Sequence, residues 1–198
     1  MDIIVASKNR GKIEEIKSIL NLPFLKWHTF EEFKDWPDLA ESADTYRENA
    51  LAKAKALIEL YGMAALADDS GLEVDALQGK PGPLSARFAG AKASDEEDVA
   101  KLLRELAGVS SDNRSARFRC WIALVEPSGA AVTTEGVCEG SIAEAARGTS
   151  GFGYDPVFVP LGQEKTFAEL PPREKNSISH RGIALRKMRK EFRQHYGI

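Results

Sequence analysis

The feature that most constrains the fold is a short apolar run that ends in two adjacent carboxylates. Met63 to Ala67 is apolar and bounded by Gly62, which is typical of a short buried strand. Asp68 and Asp69 follow at once. Open sheets with crossover helices bind ligands beyond the ends of their strands, so these acids are predicted to emerge where a hard cation would bind. The alternative is a plain turn, because Asp, Ser and Gly are common in turns.

Composition and charge exclude several classes of protein. The chain has 198 residues, 43% of them hydrophobic, which is enough for one sizeable core. A net charge of -3 offers no overall attraction for nucleic acid or acidic membranes, and this favours a small ligand. Two cysteines are too few for a disulfide scaffold, and no signal peptide or membrane-spanning run is visible. We expect a reduced, cytoplasmic protein that partners neither nucleic acid nor membrane.

Apolar spacing predicts alternating strands and helices. Ile3 to Ala6 is a strand, the loop Ser7 to Lys12 follows, and a helix begins with Ile13. The other predicted elements are a second strand over 26–30, a helix that Asp44 or Thr45 caps and Gly62 ends, a helix with a Ser94–Glu97 capping box, a hairpin of 116–125 and 130–138, a strand over 157–159, and a basic helix after Ser179.

The loop Ser7-Lys8-Asn9-Arg10-Gly11-Lys12 favours phosphate binding. It contains a hydroxyl, an amide and three cations between a predicted strand and a predicted helix. The free N–H groups at the start of a helix attract anions. It is not a Walker loop, because the first glycine is missing and Ile13 stands where Ser or Thr would be. A solvated lysine-rich turn is the alternative.

A second cationic set precedes the last helix. Lys175, His180 and Arg181 are suited to clamp another phosphate, since Arg offers a planar fork and Lys a mobile point charge. The alternative is a solvated basic face, with His180 only capping the helix.

Gly151 to Pro156 places two aromatic rings between glycines, next to a carboxylate. An aromatic face beside the acceptor Asp155 suits a heterocyclic base. In the alternative, Phe152 and Tyr154 fill the core from a tight turn.

In their order along the chain, these motifs resemble the inosine triphosphate pyrophosphatase family, whose bacterial members include dITP/XTP pyrophosphatases of the Ham1 type. The resemblance runs from about Ile3 to Met188. The motifs are Ser7 to Lys12, Glu41, Ala67 to Leu72, Pro81-Gly82 with Ser85-Ala86-Arg87-Phe88, Gly151 to Pro156, and Ser179-His180-Arg181.

The resemblance implies an α/β fold and a defined reaction. The fold would be one domain over residues 1–198, with an elongated mixed β-sheet flanked by helices and two lobes around a central active-site cleft, and the protein would be a homodimer. The reaction would be Mg²⁺-dependent hydrolysis of ITP, dITP or XTP to the monophosphate and pyrophosphate, which cleanses the nucleotide pool.

The resemblance also implies roles for individual residues. Glu41 and Asp69 would hold the metal, and Asp69 would accept a proton from the attacking water. Asp68 would have a supporting role, because neighbouring strand residues face opposite ways. The substrate-binding residues would be Ser7, Lys8, Asn9, Arg10, Gly11, Lys12, Ser70, Phe152, Gly153, Tyr154, Asp155, Lys175, His180 and Arg181.

Nucleic-acid binding through the basic C-terminal helix is disfavoured, because no aromatic residues alternate with its charges. Two other functions stay open at this point. One is a pyrophosphatase for modified pyrimidine triphosphates, as in the Maf family. The other is a sensor that binds a nucleotide without cleaving it, which would not need Glu41 and Asp69 together with a metal.

Overall fold

A mixed β-sheet and five α-helices organise residues 1–197, the part of the chain that this computed structural model describes. The strands are β1 (Asp2–Val5), β2 (Lys26–His28), β3 (Ala64–Val74), β4 (Pro81–Gly82), β5 (Ser115–Val125), β6 (Ala131–Ile142) and β7 (Phe158–Pro160). The helices are α1 (Arg10–Ile19), α2 (Tyr46–Tyr61), α3 (Asp95–Glu105), α4 (Pro172–Ile178) and α5 (His180–Tyr196).

The sheet combines parallel and antiparallel pairs. Its strand order is β2-β1-β3-β5-β6-β7, with β4 paired to β3. Strand β1 runs parallel to β2 and to β3, whereas β4 is antiparallel to β3 and β7 is antiparallel to β6. The predicted α/β class with a mixed sheet and helices is therefore confirmed. Among residues 1–197, every helix is too short or too polar to cross a membrane.

The chain forms two compact units. The first unit comprises Met1–Asp69, Cys120–Gly136 and the chain from Arg181 onward, and the second comprises Ser70–Arg119 and Val137–His180. Each unit has its own apolar core. The first core includes Ile3, Ile16, Leu66, Ile122 and Met188, and the second includes Leu72, Leu102, Phe118, Phe158 and Phe167.

Several elements begin and end where local signals predicted them. Thr45 caps α2 by accepting the Glu48 N–H at 3.2 Å, and Gly62 ends that helix at a φ of 64°. The predicted Ser94–Glu97 capping box opens α3. The two cysteines are buried on successive strands, as expected for small hydrophobic residues.

Helix α1 begins at Arg10, so the prediction that it begins with Ile13 is wrong by three residues. The cause is a cap, because the Asn9 side chain accepts the Lys12 N–H at 3.0 Å. Lys12 therefore lies in the first turn of the helix rather than in a loop.

Strand β3 runs through both acids to Val74, so the predicted strand end at Ala67 is also wrong. Its continuation is paired with β4 in a register that sets Leu72 opposite Gly82. Asp68 and Asp69 therefore lie inside a regular strand, and the plain turn is excluded at these residues. Their side chains point to opposite faces of the sheet.

His28 on β2 lies between two carboxylates. Its ring nitrogens are 2.8 Å from Asp2 and 2.7 Å from Glu32. The hydrogen bond with Asp2, and then the one with Glu32, raises the pKa of His28, while partial burial and the nearby Lys26 oppose the shift.

This geometry predicts that His28 stabilises the fold more at low pH. A histidine whose pKa is raised by folding contributes stability that is fully present below its unfolded pKa of 6.5 and is lost as the pH rises through the folded pKa. We expect His28→Gln to lower the free energy of unfolding more at about pH 5.5 than at about pH 8.5, measured by urea denaturation. The exposed His195 provides the control variant His195→Gln, and an equal loss at both pH values would contradict the prediction.

Candidate active site

One face of β3 carries a buried carboxylate that two cations share. Asp68 is 1% exposed, and its Oδ2 lies 3.0 Å from Lys12 Nζ. The same oxygen accepts Arg181 Nε at 3.2 Å and Nη2 at 3.1 Å. Arg181 is itself 2% exposed and also donates to Glu15 at 2.5 Å. The start of α1, the start of α5 and the middle of β3 thus meet at one oxygen atom.

This arrangement keeps Asp68 ionised. Burial favours the neutral acid, but Lys12 and then Arg181 outweigh it and hold the pKa of Asp68 far below its usual value. Burial likewise opposes the charge of Arg181, yet Glu15 and Asp68 raise the pKa of its guanidinium. Removing one partner of such a buried pair costs about 3–5 kcal/mol, because the other charge is left uncompensated.

The opposite face of β3 carries Asp69, which contacts residues of α2 and the segment before it. Lys53 Nζ donates to Asp69 Oδ1 at 3.1 Å and to Glu41 Oε1 at 2.6 Å. Asn49 donates its side-chain amide to Asp69 Oδ2 at 3.1 Å. One ammonium group therefore joins two carboxylates that are 28 residues apart in the sequence.

The two carboxylates differ in acidity because they differ in burial. Burial raises the pKa of Asp69, which is 3% exposed, to about 6, with a further contribution from the charge of Glu41. Burial acts on Glu41 as well, but the closer Lys53 outweighs it and lowers the pKa of Glu41. A carboxylate with a pKa near 6 is suited to accept a proton near neutral pH.

The sequence analysis missed Asn49 and Lys53. Both lie on the alanine-rich helix α2, four residues apart, and hence on the same face as the buried Tyr46, Ala50 and Leu57. Polar residues at helical spacing on an apolar face are the signal that would have found them. Their partners are identified only by the fold, since Asp69 lies 16 and 20 residues further along the chain.

Among residues 1–197, no group of three or more His, Cys, Asp and Glu side chains is arranged to hold a metal ion. Glu41 and Asp69 nevertheless fit a divalent cation as a pair. Both offer carboxylate oxygens, which Mg²⁺ prefers, and the position of Lys53 Nζ shows that one cation can contact both groups.

The residues of the Ser7–Lys12 segment make different contacts within the protein. Ser7 Oγ accepts the Asn9 N–H at 3.1 Å, and the Asn9 side chain caps α1. Arg10 pairs with Glu31 at 2.7 Å on the surface. Lys8 is exposed, and Gly11 lies within α1. Lys12, in the first turn of α1, is thus the cation of this segment that contacts Asp68.

In the second unit, Asp155 fixes the loop that was predicted to bind a base. Its Oδ2 accepts the Phe152 N–H at 2.9 Å and Lys175 Nζ at 2.6 Å. The same ammonium lies 4.7 Å from the centroid of the Phe152 ring, a cation–π distance. Three predicted residues of this unit, Phe152, Asp155 and Lys175, therefore lie together.

The two aromatic residues of this loop have different surroundings. Tyr154 is 4% exposed and packs in the core of the second unit, where its hydroxyl donates to the Ser85 carbonyl at 2.9 Å. Phe152 is only partly buried. Gly153 donates its N–H to Asp95 at 2.6 Å. Tyr154 thus anchors the loop, whereas Phe152 keeps part of its surface accessible.

The remaining predicted residues of the second unit are Ser70 and His180. Ser70 is partly buried on β3, directly after Asp69 in the chain. The His180 ring is buried and stacks on Phe118, with ring centroids 4.5 Å apart and planes 11° apart. His180 therefore packs on its aromatic face, which is more than the helix-capping role considered from the sequence.

The position of Gly151 predicts that a methyl group there would displace Asp155. A Cβ at Gly151 would overlap Asp155 Oδ2, whereas a Cβ at Gly162 would meet nothing within 4 Å. Their φ angles are +81° and +79°, so Gly151→Ala and Gly162→Ala suffer the same backbone strain. We expect Gly151→Ala to cost at least about 1 kcal/mol more in urea unfolding, because two hydrogen bonds to Asp155 are broken. Equal losses in the two variants would refute the placement of Asp155.

Comparison with known proteins identifies the family of this chain. Residues 3–191 match the Ham1 family. A dITP/XTP pyrophosphatase of Geobacter sulfurreducens is 50% identical over 184 residues, which cover 92% of each chain. The structure of a HAM1 protein from Coxiella burnetii superposes with a TM-score of 0.88 at 42% identity, covering 98% of this chain and 99% of that one. A nucleoside-triphosphatase, dITP/XTP pyrophosphatase, from Mycobacterium abscessus gives a TM-score of 0.75 at 41% identity, covering 95% and 97%. The chain belongs to the Ham1 family.

Proposed function

We propose that this protein is a pyrophosphatase that hydrolyses dITP, XTP and related non-canonical purine triphosphates to the monophosphate and pyrophosphate. Curated relatives of this name, between 43% and 50% identical over nearly the whole chain, support the activity. The observation that carries the proposal is the pair Glu41 and Asp69, which share the ammonium of Lys53. The charge of Lys12 acts on both of these carboxylates.

In the first unit, the proposed roles concern the metal and the phosphates. Glu41 and Asp69 would hold Mg²⁺, which when bound would neutralise charge on the phosphate oxygens. Asp69 accepts the proton of the water that attacks the α-phosphorus, and its burial suits this role. The groups proposed to bind the triphosphate are Ser7, Lys8, Asn9, Arg10, Gly11 and Lys12.

Arg181 acts through Asp68 in this proposal. Its guanidinium is buried against two carboxylates, so it fixes Asp68, and Asp68 in turn orients the ammonium of Lys12. A cation that is already oriented stabilises the charge of the leaving pyrophosphate without further reorganisation.

In the second unit, the proposed roles concern the base. The partly buried ring of Phe152 offers a stacking surface, and Asp155 and Lys175 offer an acceptor and a donor held in place by each other. Fixed polar groups that pair with the 6-oxo edge of hypoxanthine or xanthine would be left unpaired by the amino group of adenine. Ser70, Gly153, Tyr154 and His180 complete the proposed substrate-binding set.

The proposal extends to assembly and location. We infer one functional domain over residues 1–198, a homodimer and a cytoplasmic location, all on the family resemblance.

A panel of nucleotides tests the proposed activity. The purified protein is incubated with ITP, XTP, GTP, ATP, CTP, UTP and 5-methyl-UTP, with and without Mg²⁺. The released pyrophosphate and phosphate are quantified separately, and binding of each nucleotide is measured by calorimetry. We expect pyrophosphate from ITP and XTP only when Mg²⁺ is present, with kcat/KM at least about 10²-fold above the values for GTP and ATP. Release of single phosphate, cleavage only of pyrimidine triphosphates, or tight binding without cleavage would each exclude the proposal.

Asp69→Asn tests the proton acceptor. The amide keeps the size of the side chain and loses the basic oxygen, so kcat for XTP should fall by about 10²–10⁴-fold. Asp44→Asn, at an exposed position before α2, is the matched control and should retain wild-type turnover. An active Asp69→Asn enzyme would remove Asp69 from the mechanism.

Lys53→Met tests the metal pair without an activity assay. Without divalent cations, the loss of the shared ammonium should lower the free energy of unfolding by about 3 kcal/mol. Added Mg²⁺ should then stabilise Lys53→Met more than the wild type, because the ammonium no longer competes for Glu41 and Asp69. Lys55→Met, at an exposed site on the same helix, is the control. Equal Mg²⁺ stabilisation of all three proteins would place the metal elsewhere.

A further inference from the structure

Ser85 is a buried residue whose hydrogen-bonding groups join separate segments of the second unit. It is 6% exposed, and its hydroxyl donates to the Gly82 carbonyl at 2.6 Å. The same oxygen accepts the Leu72 N–H on β3 at 2.8 Å. The hydroxyl therefore donates to β4 and accepts from β3.

The backbone around Ser85 is packed too closely to accommodate a side chain at Gly71. A Cβ at Gly71 would overlap the Gly82 carbonyl oxygen and would come within 2.8 Å of Ser85 Oγ. Gly71 follows Ser70, one of the residues proposed to bind substrate. Ser85 thus sets the position of this strand segment through contacts that allow little movement.

The carbonyl of Ser85 reaches a different loop. It accepts the hydroxyl of Tyr154, which lies 69 residues away in the sequence. Tyr154 is the buried anchor of the loop that carries Phe152 and Asp155, and its own carbonyl accepts the N–H groups of Val157 and Phe158. Movement of Ser85 would therefore be transmitted to the loop on both sides of Tyr154.

We propose that Ser85 is a positioning residue for base recognition, which sets the Phe152–Asp155 loop through Tyr154 and sets the strand segment at Ser70 through Leu72. This inference rests on the proposed function, because it assigns the loop to the base. Ser85 itself contacts no substrate in this proposal. Its effect is to keep the acceptor Asp155 and the ring of Phe152 in one arrangement, and selectivity between bases depends on that arrangement.

Ser85→Ala and Tyr154→Phe test the proposal, because each removes one hydroxyl and preserves the rest of the side chain. We expect each variant to raise KM for XTP about tenfold and to lower the ratio of kcat/KM for XTP over GTP, with a smaller change in kcat. The double variant should show less than the product of the two single effects, since both hydroxyls act on the same loop. Ser115→Ala, which removes an exposed hydroxyl bonded to Asp75 in the same unit, is the matched control.

A merely structural role would give a different pattern. Partial unfolding lowers the active fraction and hence the apparent kcat, but it leaves KM and the ratio between substrates unchanged. Unchanged KM and selectivity in Ser85→Ala and Tyr154→Phe would therefore overturn the inference.

Amide hydrogen exchange separates this inference from the proposed function. In Ser85→Ala, the amides of 152–155 should exchange faster than in the wild type and in Ser115→Ala, whatever reaction the protein catalyses. Unchanged exchange would refute the positioning role even for an active enzyme. If the wild-type protein releases no pyrophosphate but Ser85→Ala still exchanges faster at 152–155, the proposed reaction is rejected. Ser85 would then remain the residue that positions the loop.

Discussion

The structure depends on the burial of two adjacent carboxylates in the middle of one strand. A buried acid in an apolar sheet loses its charge unless cations approach it closely. Asp68 and Asp69 receive those cations from opposite faces, because successive strand residues alternate. Lys12 and Arg181 approach one acid and Lys53 approaches the other. Helices α1, α2 and α5 must all pack on β3 before both charges are compensated. The two carboxylates are therefore stabilised only when this part of the fold is complete.

The difference in acidity between the two acids follows from the same arrangement. Asp68 is the more deeply buried, but two cations share one of its oxygens, and it stays ionised. Asp69 is also buried, and it shares the ammonium of Lys53 with Glu41. Burial, together with the charge of Glu41, therefore raises the pKa of Asp69 to about 6 even though Lys53 opposes the shift. Two neighbouring residues of the same type thereby obtain different chemistry. One is suited to hold cations in place, and the other is suited to exchange a proton.

The sequence predicted best what local rules determine. Thr45 and Gly62 bound α2, and Ser94 with Glu97 opens α3, because each signal acts within one helical turn. The start of α1 was also within reach of such a rule, since Asn9 is a strong N-cap residue. The length of β3 was not. Past Asp69 that strand pairs with Pro81 and Gly82 and donates an N–H to the Ser85 hydroxyl. Partners outside the strand cannot be deduced from its own composition.

The site shows the same division between local and non-local information. Motifs along the chain proposed Asp69, Asp155 and Lys175 as site residues, and the family resemblance proposed Glu41. Neither predicted the contacts that these residues make in the fold. Lys53 was overlooked because a lysine in an alanine-rich helix is ordinarily a solvated residue, and only the packing of α2 on β3 buries it.

The aromatic pair in the Gly151–Pro156 loop had two interpretations in the sequence, and in the structure Tyr154 lies in the core whereas Phe152 is only partly buried. Tyr154 packs in the core and its hydroxyl donates a hydrogen bond to the Ser85 carbonyl, while Phe152 keeps part of its surface accessible. This division has a physical basis. A ring that is to stack on a ligand must stay partly exposed, so it needs a neighbour that anchors the loop, and a tyrosine can be fully buried only if its hydroxyl finds an acceptor. The carboxylate of Asp155, which follows Tyr154, is fixed by the main-chain N–H of Phe152 and by Lys175. The groups of this loop are therefore already ordered in the folded protein. A ligand that binds there does not lose free energy to the entropy of ordering them.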